Sequence, residues 1–435
     1  MALFPQSALN EGVRKREVFG WAMYDFANSG YTTVVLTAVF NAYFVGVVAG
    51  NAEWATLAWT LALAASSVLV MLTMPTVGAW ADLHGSKKRW LMASTVGCVL
   101  CTIALAFAGP GDLAWAVVAI VLSNTFYTFG ESLTAAFLPE LAKLDSMGRV
   151  SGWGWSFGYF GGMLTLGLSL AWVLRAQGQG QGASQFVPMT MWITAGVFAV
   201  ASIATFTLLR ERAQPQLGAA RDTGLGATFA RLRHTWREAD RFVDFRWLLA
   251  CAAAYQAGIA VVIALAAVYA EQVLGFTQTD TMMLIFLVNI ASALGAFAWG
   301  YVQDRLGHRR ALAATLWGWV LMTVLAVLAT GKPLFWVAAL LAGLCMGSSQ
   351  SAGRALAGLF APSGRLAEFY GLWTFAIRLA SIIGPVTYGL VTWLTAGNHR
   401  LAILATGSFF LVGLVLLARV QVERGVAAAQ AAATA

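Results

Sequence analysis

Charged residues leave long stretches of this chain empty and then arrive in bursts. None lies between Glu53 and Asp82, and none between Arg89 and Asp112. Apolar runs of about 20 residues cross a bilayer as helices. In lipid only helices or closed barrels satisfy every backbone group, and these runs are too long and continuous for barrel strands. The pattern predicts helices over residues 21–47, 54–77, 90–108, 113–138, 150–174, 187–209, 246–271, 281–303, 311–330, 334–360, 369–395 and 400–418. The expected fold class is therefore an all-α polytopic membrane protein with twelve transmembrane helices.

Composition agrees with the pattern. Of the 435 residues, 59% are hydrophobic and 11% charged, against about 25% charged in a soluble domain. A net charge of +8 is compatible with nucleic-acid binding, but its distribution points to a bilayer. Alternate loops hold 23 of the 27 Lys and Arg; the opposite loops hold only Arg175, Lys332 and Arg400, and Arg378 lies within a span. Basic loops stay in the cytoplasm, so both termini are expected there. No cleavable signal peptide is apparent, because the first apolar run is too long and lacks a small-residue cleavage site.

The chemistry of an enzyme is missing. All four histidines fall in loops, and Cys98, Cys101, Cys251 and Cys345 fall inside predicted helices, where packing is the expected role. No phosphate-binding G-x-x-x-x-G-K-[ST] loop occurs. No cofactor and no metal site is implied.

Two echoes divide the chain. The segment Gly78, Asp82, Gly85, Lys87, Lys88, Arg89 reads as a tight charged turn, and Gly300, Asp304, Gly307, Arg309, Arg310 repeats it 222 residues later. Gly130–Pro139 and Gly353–Pro362 share Gly, Leu, Phe and Pro at nearly the same offset, with Glu131 and Arg354 at equivalent positions and of opposite charge. One topology used twice is a parallel repeat. The expected organisation is a six-helix bundle over 1–209, a linker over 210–245, a second bundle over 246–424 and a disordered tail over 425–435. In the linker, Phe229, Leu232, Trp236 and Ala239 recur at helical spacing among arginines, which fits an amphipathic helix on an anionic leaflet.

Ionisable groups inside spans are costly and mark function by default. Asp25 stands about one turn into the first predicted helix, and Glu131 and Arg354 lie at a similar depth. The bland reading of Asp25 is a carboxylate that reaches the interface or caps a neighbouring helix. Small residues at four-residue spacing (Gly154, Gly158, Gly162; Ser292, Ala296, Gly300) read as close helix packing. Near mid-depth by rise per residue sit Asn28, Tyr127, Tyr255, Gln256, Gln350 and Arg378.

The paired G-x-x-x-D-x-x-G-x-[KR]-[KR] motifs between helices 2–3 and 8–9 resemble those of the major facilitator superfamily. The first copy departs from the pattern with Leu83 after its aspartate. The runs YDFANSGY, GRVSGWGWSFGYFGG and EFYGLWTF resemble the branch that includes vacuolar amino-acid effluxers, the autophagy-related effluxer-like family. The resemblance implies two bundles that rock around a central site, in a bacterial-type inner membrane. It implies that Asp82 faces the start of helix 11 and Asp304 the start of helix 5, as a conformational clamp with the glycines and basic residues of both motifs. It also places helices 1, 4, 7 and 10 around the cavity.

The expected function is a secondary-active transporter, proton-linked, for a small amphipathic or anionic organic solute such as an amino acid or short peptide. The substrate-binding candidates are Asn28, Tyr31, Tyr127, Tyr255, Gln256, Gln350 and Arg378. Arg378 would grip a substrate anion, while Asp25, Glu131 and Arg354 serve as proton or gate groups. The competing structural reading is a permanent Arg378–Glu131 or Arg354–Glu131 bridge. Tyr24, Trp153, Trp155 and Trp373 are further lining candidates. Two other functions stay open: an exporter of larger hydrophobic or lipid-like molecules, and a non-transporting receptor or scaffold. The expected partners are a small-molecule substrate, a coupling ion and the lipid bilayer, with no nucleic acid, around a monomer.

Overall fold

The computed structural model describes residues 4–215 and 241–433. Among them, twelve helices are long and apolar enough to cross a membrane. The N-half holds α1 (Lys15–Val48), α2 (Ala55–Leu83), α3 (Lys87–Leu105), α4 (Leu113–Ala135), α5 (Met147–Gly178) and α6 (Ala183–Leu208). The C-half holds α7 (Val243–Leu274), α8 (Gln278–Leu306), α9 (His308–Leu328), α10 (Lys332–Leu359), α11 (Leu366–Leu394) and α12 (His399–Leu417). A thirteenth helix, α13 (Val422–Ala433), follows.

The repeat inferred from sequence governs the packing. α1 packs on α5 and α6 as α7 packs on α11 and α12; α2 packs on α4 as α8 packs on α10. Two long seams, α5 with α8 and α2 with α11, join the halves. Small residues make these approaches possible. A Cβ on Gly152 would collide with the Ala296 carbonyl, and one on Gly158 would stand 2.9 Å from Ser29 Oγ on α1.

Each half is closed by a staple that the sequence reading missed. Fully buried Glu17, in the first turn of α1, accepts from Arg212 just beyond α6 at 2.6 Å. Buried Asp244, in the first turn of α7, accepts from Arg424 just beyond α12 at 2.6 and 2.9 Å. Asp244 also accepts the Gln421 N–H at 2.7 Å.

Two expectations are corrected by the structure. The tail does not lack order: α13 runs to Ala433, because Asp244 pins its start and Gly425 lies against the Phe360 ring. The charged motifs are not mainly loop. α2 continues to Leu83, so Gly78 and Asp82 are helical and only His84–Ser86 turn, with Gly85 at φ +56°. Gly300 and Asp304 are likewise inside α8, with Gly307 at φ +87° making the turn. The helix can run on because each aspartate finds its partners on a neighbouring helix end. The N-terminal arm packs on the N-half: Asn10 donates to the carbonyls of Pro139 and Glu140 at 3.0 and 3.1 Å. The amphipathic pattern Phe229–Ala239 lies outside the described residues.

One prediction follows from the C-half staple. Asp244→Asn removes the charge that holds Arg424, so backbone amides of 422–433 should exchange with solvent on the order of tenfold faster. Hydrogen-exchange mass spectrometry reads this directly; unchanged protection would show that the other contacts of α13, Gly425 on Phe360 and the Ala431 carbonyl on Arg241, hold it without Asp244.

Candidate functional site

Four polar groupings lie along the meeting faces of the halves. The first two are at the end that carries the motifs. Asp82 accepts the Glu368 N–H at 2.9 Å, at the start of α11. Asp304 accepts the Gly148 and Arg149 N–H groups at 2.9 and 3.2 Å, at the start of α5, and the Arg149 side chain at 2.8 Å. A carboxylate at a helix N-terminus satisfies orphan donors and meets the positive end of the dipole. The motif glycines set the spacing: a Cβ on Gly78 would collide with the Ala367 carbonyl, and one on Gly300 would stand 2.7 Å from the Gly148 carbonyl oxygen.

The basic residues of the motifs do not cross these seams. Lys87 is buried, bonds Glu140 and sits 4.9 Å over the Phe137 ring, all within the N-half. Lys88 donates to the Leu209 carbonyl at 2.5 Å, and its N–H reaches Glu211. They brace the N-half instead of joining the halves, which corrects their place in the clamp. Arg309 and Arg310 stand exposed at the start of α9.

The third grouping lies deeper. Asp25, ten residues into α1 and so about 15 Å along it, accepts from Arg354 Nη1 of α10 at 2.7 Å. Both are buried, at 7% and 6% exposure. Arg354 also donates to Ser151 Oγ and the Ser151 carbonyl on α5, at 3.1 and 2.7 Å. Its guanidinium lies 4.9 Å from the Trp21 ring and 5.3 Å from Trp155. Tyr370 of α11 donates to the Arg354 carbonyl at 2.8 Å. Asp25 therefore neither reaches the interface nor caps a helix. The Arg354–Glu131 bridge is also corrected, since Arg354 is spent on Asp25 and Ser151.

The fourth grouping is open. Glu131 of α4 meets Arg378 of α11 at 3.4 Å, with side-chain exposures of 36% and 15%. Glu131 lies well inside its helix and faces the other half, so this exposure marks a cleft between the halves. Arg378 Nε is buried without a partner. Tyr127 flanks the pair from α4 and stacks on Tyr31, with ring centroids 5.1 Å apart. On the C-half, Gln256 and Gln350 exchange amide hydrogen bonds at 2.7 and 3.4 Å.

Several predicted lining residues sit elsewhere. Tyr31 is fully buried with its hydroxyl on Ser123 at 2.7 Å, so it supports Tyr127 from behind. Tyr255 is fully buried against Gly353, and Tyr24 is buried against Thr95 at 3.1 Å. Asn28 is buried within α1. Trp153 and Trp373 are also buried, Trp153 on Tyr301 at the α5–α8 seam. Trp155 belongs to the Arg354 cage. The common cause is helix rotation, which depth along a helix does not give.

Three of the four groupings share one polarity: the acids Asp25, Glu131 and Asp82 come from the N-half and the groups that answer them from the C-half. Asp304 reverses it, a C-half acid answered by Gly148 and Arg149 of the N-half. Asp25 and Arg354 are buried while Glu131 and Arg378 are not fully so, and the halves therefore close at the Asp25–Arg354 level and part above it.

A twelve-helix pair of bundles with a polar cleft between them defines a membrane transporter of the major facilitator superfamily. The chain belongs to the family described as "Vacuole effluxer Atg22 like", whose model matches residues 41–430. It is 27% identical over 425 residues to YxiO of Bacillus subtilis, described as an uncharacterized MFS-type transporter, covering 93% of this chain and 94% of that one. It is 26% identical over 248 residues to autophagy-related protein 22-1 of Aspergillus niger, covering 51% of this chain and 40% of that one. In fold it is similar to the human organic anion transporter MFSD10, with a TM-score of 0.72 at 17% identity over 93% of this chain and 99% of that chain. It is also similar to the proton:xylose symporter XylE, with a TM-score of 0.70 at 13% identity over 92% and 94% of the two chains.

Proposed function

We propose that the protein is a secondary-active, proton-linked carrier of a small amphipathic solute bearing a carboxylate, such as an amino acid or short peptide, in a bacterial-type inner membrane. The observation that carries this reading is Arg378: a cation in mid-membrane, held by one 3.4 Å contact and with a buried Nε unpartnered. A buried arginine so poorly paired is costly, and a substrate carboxylate completes it. Glu131, exposed in the same cleft, then receives a substrate ammonium or a proton. The amide pair Gln256–Gln350 supplies further neutral donors and acceptors.

The basic loops support a cytoplasmic position for the motif end. The described conformation is then closed inside, with Asp25–Arg354 as the deep latch and Asp82 and Asp304 as the outer clamps. Release of the latch permits the opposite state. Protonation of Asp25 or Glu131 would remove the charge that holds the corresponding arginine, which supports proton coupling.

The test is uptake of labelled L-leucine and glycyl-L-leucine into proteoliposomes under an imposed pH gradient. Losing charge-assisted hydrogen bonds worth about 1.5–3 kcal/mol in Arg378→Ala should reduce binding at least about tenfold. Arg378→Ala carrying both solutes like wild type would sink the reading.

A further inference from the structure

Beneath the deep latch the two halves do not meet flush. A cavity of about 570 Å³ lies at the motif end, between Glu140, Leu144 and Arg212 of the N-half and Leu359, Ala429 and Gln430 of the C-half. That volume falls in the range of small-molecule sites. Its rim includes α13, so the tail helix stapled by Asp244 forms part of a wall.

The polar chemistry of the N-half wall is unfinished. Glu140 gives one oxygen to Lys87, and its Oε2 is buried without a partner. Arg212 gives Nη2 to Glu17, and its Nη1 is buried without a partner. Unpartnered buried polar atoms are few in native proteins and costly. Here an acceptor and a donor, on residues of opposite charge, flank one cavity. Much of the remaining lining is apolar, including Pro139, Leu359, Leu366 and Val426.

Because its walls belong to different halves, the cavity keeps this shape only while the motif end is shut. A molecule bound there favours the shut state by its differential affinity. We propose that this cavity is a second site, distinct from the Arg378 cleft, which takes a small apolar zwitterion: an amino acid or dipeptide. Its ammonium is directed to Glu140, its carboxylate to Arg212 and its apolar body to Leu144, Leu359 and Ala429. Occupied from the cytoplasmic side, it holds the halves together, so solute accumulated there restrains further opening. The orientation and solute class rest on the function proposed above.

Thermal unfolding with glycyl-L-leucine separates the two sites, since a ligand that binds the native state raises its stability. Arg378→Ala leaves only the inner site and should keep a saturable upward shift in Tm. Adding Ala429→Trp, which fills the cavity from α13, should remove that remaining shift. Leu144→Trp, at a position 49% exposed on the opposite wall, does the same without straining a packed helix. In Arg378→Ala the dipeptide should also slow exchange of the Gly148 and Arg149 amides, which bond Asp304 only across the closed seam. No shift in Arg378→Ala, or an undiminished shift with either tryptophan added, overturns the inner site. Failure of the central reading looks different: Arg378→Ala then shifts as wild type does, and the tryptophans alone abolish the effect.

Discussion

Arg354→Ala is expected to open the motif end and to lower stability more than any other single change at the interface. The substitution leaves Asp25 buried without a counter-charge. Breaking a buried ion pair from one side costs about 3–5 kcal/mol. It also removes the added Arg354 contacts to Ser151 and empties the space between Trp21 and Trp155, which adds a packing loss. Most of that energy is held in the closed state, because Asp25 and Ser151 belong to the N-half and Arg354 to the C-half. The open state loses less, since water reaches Asp25 there. The population therefore shifts toward opening at the motif end. Asp25→Asn/Arg354→Gln should recover much of the stability, because neither charge is then buried alone. A thermal-unfolding series over the two single variants and the double reads this as a coupling energy. Additive effects would show that the two residues do not act as a pair.

Gly78→Leu should produce the second large effect by a steric route. α2 and α11 approach so closely at this point that even a Cβ would meet the Ala367 carbonyl. Backbone on both sides cannot yield as a flexible side chain can, and overpacking typically costs about 1–3 kcal/mol or more. The wedge acts only when the seam is shut, so Asp82 is carried away from the Glu368 N–H and the motif end stays open. Alkylation of Ala355→Cys, at a fully buried position beside the latch, should become fast in the Gly78→Leu background and stay slow without it. Equal protection in both would show that α11 can shift to absorb the side chain.

The span count was legible because a bilayer imposes its own period. Charge-free runs separated by basic bursts leave little freedom, and the twelve helices fall where the runs do. The halves were legible from Gly78/Gly300 and Asp82/Asp304, whose spacing survives because backbone contact and helix-end capping tolerate few substitutes. Pairings across the interface were not legible. Asp25 and Arg354 are 329 residues apart, and nothing in their spacing prefers Arg354 over Arg378 as partner. Rotation about the helix axis was also hidden: Tyr31 and Tyr255 have the right depth for the cleft but point into their own bundles. The staples did carry a signal. Glu17 and Asp244 each open the first helix of a half, and Arg212 and Arg424 each follow the last, so the repeat could have exposed them. The tail deceived because an alanine-rich segment is a strong helix former that needs only an anchor, and Asp244 supplies one from 177 residues away.

Reciprocal opening of the two halves about the Glu131–Arg378 cleft underlies the proposed transport. Paired spin-label distances test it most directly, with one pair at Lys143 and Arg305 on the motif end and the other at Gln179 and Ala396 on the far end. Wild type should give short distances at the motif end and long ones at the far end, and Arg354→Ala should invert both together. Distances that stay fixed at both ends, or lengthen at both, would contradict alternating access in this molecule.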